Sequence, residues 1–212
     1  MNKKAQADII AAVLIIIIAI SLAATAYMWG IPLIQKRQDM AIVERVYSSF
    51  DKNNANSLTR KIEFIANNGG EDTFTLDVNG IWILYPADSQ GESNSIYFTF
   101  RSRASNLATN INWIPLSSAN TNPTATVGID DPSVVFGRAD SSEGAYNITY
   151  KLWFRQLNGT DRNYLIKLLP RNPGYPNRST AKTIRISRGE IKQDPQDPTG
   201  KLIITEIKIL FG

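Results

Sequence analysis

An uncharged stretch over residues 9–35, IIAAVLIIIIAISLAATAYMWGIPLIQ, constrains this chain more than any other feature. Its only ionisable side chain is that of Tyr27, whose phenol is neutral at pH 7. As an α-helix at about 1.5 Å per residue, the stretch would be about 40 Å long, enough to cross a hydrocarbon core of about 30 Å. Such a helix cannot stay exposed to water. It must lie in a bilayer, pack in a bundle with other copies of itself, or be removed as an export signal.

The composition excludes several classes of site. The chain of 212 residues has room for one apolar helix and one domain of roughly 150 residues. It contains no cysteine and no histidine, so it has no disulfide framework, no thiol nucleophile and no histidine base or metal ligand. The net charge of +4 is mild and its lysines and arginines are scattered, so the charge balance is poor evidence for nucleic-acid binding. No phosphate-binding or catalytic motif is present, and we expect neither an enzyme nor a cofactor or metal.

The residues before the apolar stretch leave three interpretations open. In a secretory signal, Lys3 and Lys4 would form the positive region and Ala24-Thr25-Ala26 the cleavage site, so the helix would be lost. In a signal anchor, the two lysines would hold the N-terminus in the cytoplasm while the helix stays in the membrane. In the third interpretation the chain is cut before the apolar stretch, and the helix is kept.

The sequence Lys3-Lys4-Ala5-Gln6, placed just before a long apolar helix, resembles the class III signal peptide of archaeal type IV pilins. This resemblance implies that a prepilin peptidase cuts on the cytoplasmic side between Ala5 and Gln6, with a cut after Ala7 as a variant. It also implies that the whole helix survives in the mature protein.

Asp8 helps to separate the three interpretations. A carboxylate at the edge of the apolar region is unfavourable in a secretory signal, because it is costly near hydrocarbon unless it is paired. The resemblance implies that Asp8 pairs with the free amine of a neighbouring subunit, although it would be the third mature residue and not the fifth, as in bacterial type IV pilins. Alternatively, Asp8 lies among lipid headgroups and pairs with lipid or Lys4. The helix residues expected in the assembly are Ile9, Ile10, Val13, Leu14, Ile17, Ile20 and Leu22.

The helix is expected to continue beyond the apolar stretch with a change of character. Gly30 and Pro32 predict a kink or a short unwinding, because proline removes a backbone donor and clashes with the preceding turn. Over residues 35–70, apolar residues recur at spacings near three and four, which predicts an amphipathic continuation that Asn68-Gly69-Gly70 stops. The polar residues 51–56 are either a loop between two helices or a polar patch within one. This continuity argues against a cut after Ala26.

Residues 71–212 are predicted to form a β domain. Apolar and polar residues alternate over residues 74–78 and 146–155, and further strand-like segments end in turns. Asn79-Gly80 predicts a type I′ hairpin turn, and Asn158-Gly159 predicts a second turn. The expected fold class is α+β, with a long apolar N-terminal helix followed by an antiparallel β-sandwich head domain. That is also the pilin-like architecture that the resemblance implies.

The β domain offers few candidate sites. Two carboxylate pairs, Asp130 with Asp131 and Asp194 with Asp197, lie in turn-like sequence, so we interpret them as turn formers and not as catalytic groups or calcium ligands. Three sequons predict N-glycosylation of an exported domain, at Asn147, Asn158 and Asn177. Six aromatic residues indicate either a sugar-binding platform or, more simply, core and cross-strand packing: Trp82, Tyr97, Trp113, Tyr146, Tyr150 and Trp153.

The predicted organisation is a leader over residues 1–5, an apolar filament-core helix over residues 6–34, its amphipathic continuation over residues 35–70 and a head over residues 71–212. The resemblance implies a major pilin of an archaeal type IV pilus. Such a subunit starts in the inner membrane and is trimmed by the prepilin peptidase. The pilus assembly machinery then moves it into an extracellular homopolymer used for adhesion, and no nucleic-acid partner is expected. Two alternatives stay open: an archaellin-type subunit of a motility filament, and a membrane-anchored extracellular ligand-binding β domain.

Overall fold

The computed structural model of the protein describes residues 3–87, 93–109, 112–116, 120–172, 177–197 and 199–212, and within these ranges the side chains from Ile9 onwards. A long apolar N-terminal helix is followed by a β-rich domain with two sheets, which is an α+β arrangement. The chain divides into two compact units, residues 1–39 and residues 40–212. The helices and strands are α1 Lys3–Phe50, α2 Leu58–Asn68, β1 Glu71–Thr75, β2 Ile81–Tyr85, β3 Ser95–Ser102, β4 Ile114–Pro115, β5 Thr124–Thr126, β6 Ser133–Ser142, β7 Ala145–Phe154, β8 Gln156–Asn158, β9 Asn163–Pro170, β10 Arg178–Ser179, β11 Thr183–Gln193 and β12 Leu202–Phe211.

The first helix, α1, is continuous over 48 residues and runs through Gly30 and Pro32. The backbone is helical on both sides of the proline, so the interruption does not take the form of an unwound segment, and a bend there stays a prediction. The last turns of α1 belong to the second unit, where Val43, Val46 and Phe50 are fully buried. The helix therefore changes from an apolar cylinder to a helix with one buried stripe.

The second helix, α2, ends where the glycines predict. The hydroxyl of Ser57 caps its first turn by accepting a hydrogen bond from the backbone N–H of Arg60 at 3.2 Å. Gly69 follows its last residue with φ at 83°, a left-handed conformation that suits glycine, and its N–H donates to the carbonyl of Ile65 at 2.8 Å. Because α2 starts at Leu58, the polar residues 51–56 are a loop between two helices.

In the part of the chain that the structure describes, the β-rich unit contains two six-stranded sheets. One, called the mixed sheet below, has the strand order β1-β11-β12-β9-β8-β5, and the other, called the antiparallel sheet, has the order β10-β2-β3-β7-β6-β4. In the mixed sheet β9 runs parallel to β12, and β5 runs parallel to β8, so the expectation of antiparallel pairing throughout is wrong for this sheet. The reason is that β9 and β11 run in opposite directions on either side of β12. Since β12 is antiparallel to β11, it must be parallel to β9.

The predicted hairpin at Asn79-Gly80 is also wrong, because the strands before and after it belong to different sheets. Phe74 of β1 lies opposite Ile184 of β11, whereas Trp82 of β2 lies opposite Phe98 of β3. Residues 76–80 therefore cross from one sheet to the other. Gly80 is needed for a close approach and not for a turn, since a methyl group on its Cα would collide with the ring of Phe98.

The core of the β-rich unit combines side chains from both helices and both sheets. Phe50 at the end of α1 stacks against Trp82 of β2 and Tyr150 of β7, with ring centroids 5.9 and 5.7 Å apart. Ile62 of α2 and Ile207 of β12 are fully buried in the same cluster. Aromatic pairs of this kind add about 0.5–1.5 kcal/mol each beyond the burial of their area. Phe50 therefore ties the last turn of α1 to the antiparallel sheet.

A buried arginine holds the segment that leads into β6. Arg155, between β7 and β8, is only 2% exposed. Its Nε donates to the carbonyl of Asp131 at 3.1 Å, and its Nη1 donates to the carbonyls of Asn122, at 3.1 Å, and Asn120. A guanidinium has several N–H donors in one plane, so it can bind several carbonyl groups at once better than a lysine ammonium can. Arg155 therefore satisfies carbonyl groups of a polar segment that contributes few strand hydrogen bonds of its own.

Glu63 of α2 makes the stability of this unit depend on pH. Burial raises the pKa of its carboxyl above the usual 4.5, and the Ser133 hydroxyl, which donates to it at 2.7 Å, partly opposes that rise. The charges of Lys52 and Arg60 also lower this pKa, while that of Asp131 raises it. Because the folded protein holds the proton more tightly than the unfolded chain, the contribution of Glu63 to the free energy of unfolding rises as the pH falls through its raised pKa. The gain is complete below about 4.5.

We expect Glu63→Gln to remove this gain. The amide oxygen still accepts the Ser133 hydrogen bond but carries no charge, so the variant should be more stable than the wild type at neutral pH and lose that advantage in acid. Urea unfolding of both proteins in detergent micelles, from neutral pH to pH about 4, measures the difference. Glu190→Gln, at an exposed position of β11, is the matched control and should follow the wild type. A constant difference between Glu63→Gln and the wild type over the whole range would contradict this explanation.

Candidate assembly surface

The candidate site is the surface of α1 between Ile9 and Trp29. Its large apolar side chains are all at least half exposed, from 50% at Val13 to 80% at Trp29. Every residue from Val13 to Ile18 is among them, and successive residues of an α-helix are about 100° apart, so these six cover the full circumference. The surface is therefore apolar on all sides. It suits a surrounding of lipid or of other helices and not a position against one protein face.

The predicted assembly residues lie on this surface. The structure exposes each of the following by half or more: Ile9, Ile10, Val13, Leu14, Ile17, Ile20 and Leu22. The residues of the cleavage motif, Lys3, Lys4, Ala5 and Gln6, and also Asp8, belong to the helical backbone of α1, but their side chains lie outside the described part of the structure. Cleavage at the motif and the pairing of Asp8 therefore stay predictions.

Among the residues that the structure describes, α1 is the one helix long and apolar enough to cross a membrane. Its most apolar window of 18 residues has a mean hydropathy of 2.9, and none of that window is buried. A secretory signal near an N-terminus has the same properties. Hydropathy alone therefore does not separate a retained helix from a removed one.

Two hydroxyl groups within the apolar surface are satisfied by the helix itself. Ser21 Oγ donates to the carbonyl of Ile17, and Thr25 Oγ1 donates to the carbonyl of Ser21, both at 2.8 Å. Such bonds to the preceding turn are how serine and threonine are accommodated in helices that have no water around them. These two residues therefore do not interrupt the apolar surface.

The C-terminal end of the apolar surface has the residues that favour a membrane boundary. Residues 9–29 span about 30 Å as a helix, the thickness of a hydrocarbon core. Tyr27 and Trp29 at that end are strongly exposed, and Lys36 and Arg37 follow two turns later, also exposed. Amphipathic rings favour the interface, and basic groups favour the headgroups. The segment can therefore lie in a bilayer with its polar flank in water.

The three sequon asparagines are all exposed. Asn158 lies in the hairpin between β8 and β9, whose pairing confirms the turn predicted at Asn158-Gly159. Asn177 immediately precedes β10. Asn147 lies inside β7, a central strand, and Thr149 of its sequon is buried with its hydroxyl 3.0 Å from that of Thr99. The sequons of Asn158 and Asn177, at strand ends, are therefore easier to present to a glycosylating enzyme.

The two carboxylate pairs have partners within the chain. Asp130, Asp194 and Asp197 each accept a hydrogen bond from a backbone N–H a few residues away, as turn formers do, whereas Asp131 forms an ion pair with Lys52. A neighbouring threonine hydroxyl and backbone N–H groups of the same turn lower the pKa of Asp197 to about 2. Within the described ranges, no group of three His, Cys, Asp or Glu side chains could hold a metal ion.

The six aromatic residues divide between the two faces of the antiparallel sheet. Trp82 and Tyr150 are buried in the core, and Tyr146 packs against it. Tyr97 and Trp153 belong to the alternate positions of β3 and β7, and these point to the opposite face. Trp113 lies with Tyr97, at a centroid distance of 5.3 Å. Tyr97 is nevertheless only 7% exposed, and Trp153 packs on Phe136 of the neighbouring strand at a centroid distance of 6.3 Å, so core and cross-strand packing accounts for all of the set except Trp113.

The cations among these outward rings were not predicted from the sequence. The alternation over residues 146–155 places Lys151 on the same face as Trp153, so one signal was present in the sequence. The neighbours of Lys151 depend on strand pairing, which puts Tyr97 on one side of it and Phe136 on the other. That register is not encoded in any one strand.

Comparison of the chain with protein-family models, with curated proteins and with solved structures gives no match. Support for a function therefore comes from the residues of this chain alone.

Proposed function

We propose that this chain is a structural subunit, a major pilin, of an archaeal type IV pilus, and that it polymerises through the apolar surface of α1 into an extracellular filament used for adhesion. The exposure of α1 on all sides between Ile9 and Trp29 is the observation that carries this proposal. A helix with an apolar stripe would be covered by one neighbour, whereas this one needs neighbours all round, as a bundle of identical helices supplies them.

The same surface serves two successive environments in this proposal. In water, burial of apolar area contributes about 25 cal/mol per Å², which is a strong drive to leave the solvent. In the inner membrane, lipid already covers the helix, so the gain on moving into the filament comes from close packing of side chains. The precursor is accordingly a membrane protein, and the assembly machinery transfers it from lipid to the bundle.

The residues at the start of the chain support retention of the helix. A cut between Ala5 and Gln6 by a prepilin peptidase would leave the apolar surface of α1 complete, whereas a cut after Ala26 would remove nearly all of it. We assign residues 1–5 to the leader, 6–34 to the filament core, 35–70 to the continuation of the helix and 71–212 to a head whose two sheets form a β-sandwich. The proposed glycan acceptors on the head are Asn147, Asn158 and Asn177.

The mature protein in shed surface material is expected to begin at Gln6. Mass spectrometry of its N-terminal peptide measures this directly. Ala26→Leu, which spoils the Ala24-Thr25-Ala26 site, should leave the position of the cut unchanged. A start at Tyr27 would contradict the proposal, because the exported protein would then lack the apolar surface. A start at Met1 would indicate an uncut signal anchor.

A membrane-anchored ligand-binding β domain is the second candidate, and the aromatic and basic residues on the outward face of the antiparallel sheet favour it. In that case α1 would stay in lipid and the protein would remain a monomer. Electron microscopy of the cell surface distinguishes the two candidates, since the pilin forms filaments that antibodies against this chain decorate along their length. Labelling confined to the cell envelope would favour the anchored domain.

A further inference from the structure

The outward face of the antiparallel sheet carries aromatic rings and cations on neighbouring strands. The core contains Phe98 and Tyr150, so the residues next to them in β3 and β7 point away from it. Strand pairing places Tyr97, Lys151 and Phe136 side by side across β3, β7 and β6. We call this the basic aromatic face, and define it by Tyr97, Arg101, Trp113, Phe136, Arg138 and Lys151.

The cations of this face lie against the rings. The Nζ atom of Lys151 is 5.5 Å from the ring centroid of Trp113, 5.6 Å from that of Tyr97 and 5.7 Å from that of Phe136. The guanidinium carbon of Arg138 is 5.1 Å from the ring centroid of Trp113. Cation–π contacts of this kind fix the positions of otherwise flexible side chains. The positive charges are therefore held on a rigid sheet, where they lose little freedom when a ligand binds.

The face is positively charged. Among the outward positions of β3, β6 and β7, the cations are Arg101, Arg138 and Lys151, and the only carboxylate is that of Asp140, which pairs with Arg138 at 2.9 Å. Alternate residues of a strand are about 7 Å apart, so Lys151, Arg138 and Arg101 occupy three successive rows of the sheet. An extended polymer with regularly spaced negative charges can contact these rows one after another.

We propose that the basic aromatic face binds an anionic polysaccharide, the C–H face of a sugar ring packing on Trp113 while carboxylates or sulfates pair with Arg138, Lys151 and Arg101. Charge complementarity requires the acidic groups, and the partly exposed indole supplies an apolar surface with a polar edge. Single-stranded nucleic acid fits less well, because its bases stack on ring faces in series. Here the rings of Tyr97 and Trp113 meet at 69°, and those of Tyr85 and Tyr97 at 59°.

The proposal depends on the head alone and not on filament formation. It can therefore be tested on the full chain as a monomer in non-ionic detergent micelles, and its failure would leave the pilin proposal untouched. The probe is an oligosaccharide of galacturonic acid, titrated by calorimetry. A neutral galactose oligosaccharide of the same length and a single-stranded oligonucleotide are titrated in parallel.

We expect the galacturonate oligosaccharide to bind and the neutral one not to bind. Arg138→Gln and Trp113→Ala should each lower the affinity about tenfold, the loss of one charge-assisted contact or one stacked ring. Arg101→Gln, at an exposed position, should also weaken binding, and it tests the face even if Trp113→Ala fails to fold. Lys201→Gln removes an exposed cation from the turn before β12 and is the matched control, with no expected change.

Four results would overturn the proposal. These are no binding of the galacturonate oligosaccharide, equal binding of the neutral oligosaccharide, an equal loss of affinity in Lys201→Gln, and tighter binding of the oligonucleotide. The third would mean that net charge alone attracts the ligand, and the fourth would make the face a nucleic-acid site.

Discussion

Ile17→Asp is expected to abolish filament formation while the β-rich unit stays folded. Ile17 is 54% exposed on α1 and lies within the run of exposed apolar residues from Val13 to Ile18. In a bundle of helices each copy would bury one carboxylate, and a buried unpaired charge costs several kcal/mol. The same change raises the free energy of membrane insertion by only about 3–4 kcal/mol, because it adds the cost of aspartate and loses the favourable contribution of isoleucine. A segment with a mean hydropathy of 2.9 should tolerate that, so the precursor should still reach the membrane.

Three measurements test this prediction together: electron microscopy for filaments, fractionation for the precursor in membranes, and near-ultraviolet circular dichroism for the packed aromatic core. Ile129→Asp introduces the same charge at a position that is 82% exposed in a turn, and it should leave filaments intact. Ile17→Leu keeps the surface apolar and should also assemble. Normal filaments from Ile17→Asp would show that this part of α1 is not in the filament core.

Asn94→Ala should lower the free energy of unfolding of the β-rich unit by about 4 kcal/mol. Asn94 is 5% exposed, and its amide donates to the carbonyls of Phe154 at 2.9 Å and Ile166 at 2.8 Å. Its Oδ1 accepts from the backbone N–H of Leu168 at 2.8 Å. One side chain thus forms hydrogen bonds with the backbone of a strand in each sheet. Each buried polar group left without a partner costs about 1–3 kcal/mol.

The backbone of Asn94 adds to the effect, because its φ of 56° is left-handed, a region that asparagine tolerates better than alanine. Asn94→Gly removes the amide without that strain and should be less harmful than Asn94→Ala. Asn94→Asp keeps the backbone preference but places a carboxylate against two carbonyls, so it should be at least as harmful. Urea unfolding in micelles measures the series. Asn68→Ala removes one exposed amide that donates a hydrogen bond to the carbonyl of Phe64, and it should change the free energy of unfolding by less than about 0.5 kcal/mol.

A different order of stability among the Asn94 variants would assign the loss of stability to another cause. If Asn94→Gly were as harmful as Asn94→Ala, the loss would come from hydrogen bonds alone. If Asn94→Asp were as stable as the wild type, the two hydrogen bonds that the amide donates would not hold the sheets together, and the predicted role of Asn94 would be wrong.

Local patterns were sufficient for several parts of this protein. The exposed apolar surface of α1 follows from the composition of residues 9–29, because packing one side of a helix that is apolar all round leaves its other sides exposed. The end of α2 at Gly69 follows from glycine's tolerance of a left-handed φ. Alternation in β7 correctly separated Lys151 from its neighbour Tyr150, since successive residues of a strand point to opposite faces. Each of these depends only on residues close together in the chain.

The contacts between segments that are far apart in the chain were decided by the tertiary structure. The turn preference of Asn79-Gly80 is strong but local, and it did not produce a hairpin because β1 pairs with β11 and β2 pairs with β3. The parallel pairing of β9 with β12, the neighbours of Lys151 and the two sheets that Asn94 joins all rest on partners far along the chain. The amino-acid sequence by itself determined which surfaces are apolar and which residues share a face. Only the tertiary structure decided which strands pair, because pairing depends on two segments and on the summed energy of the many contacts between them.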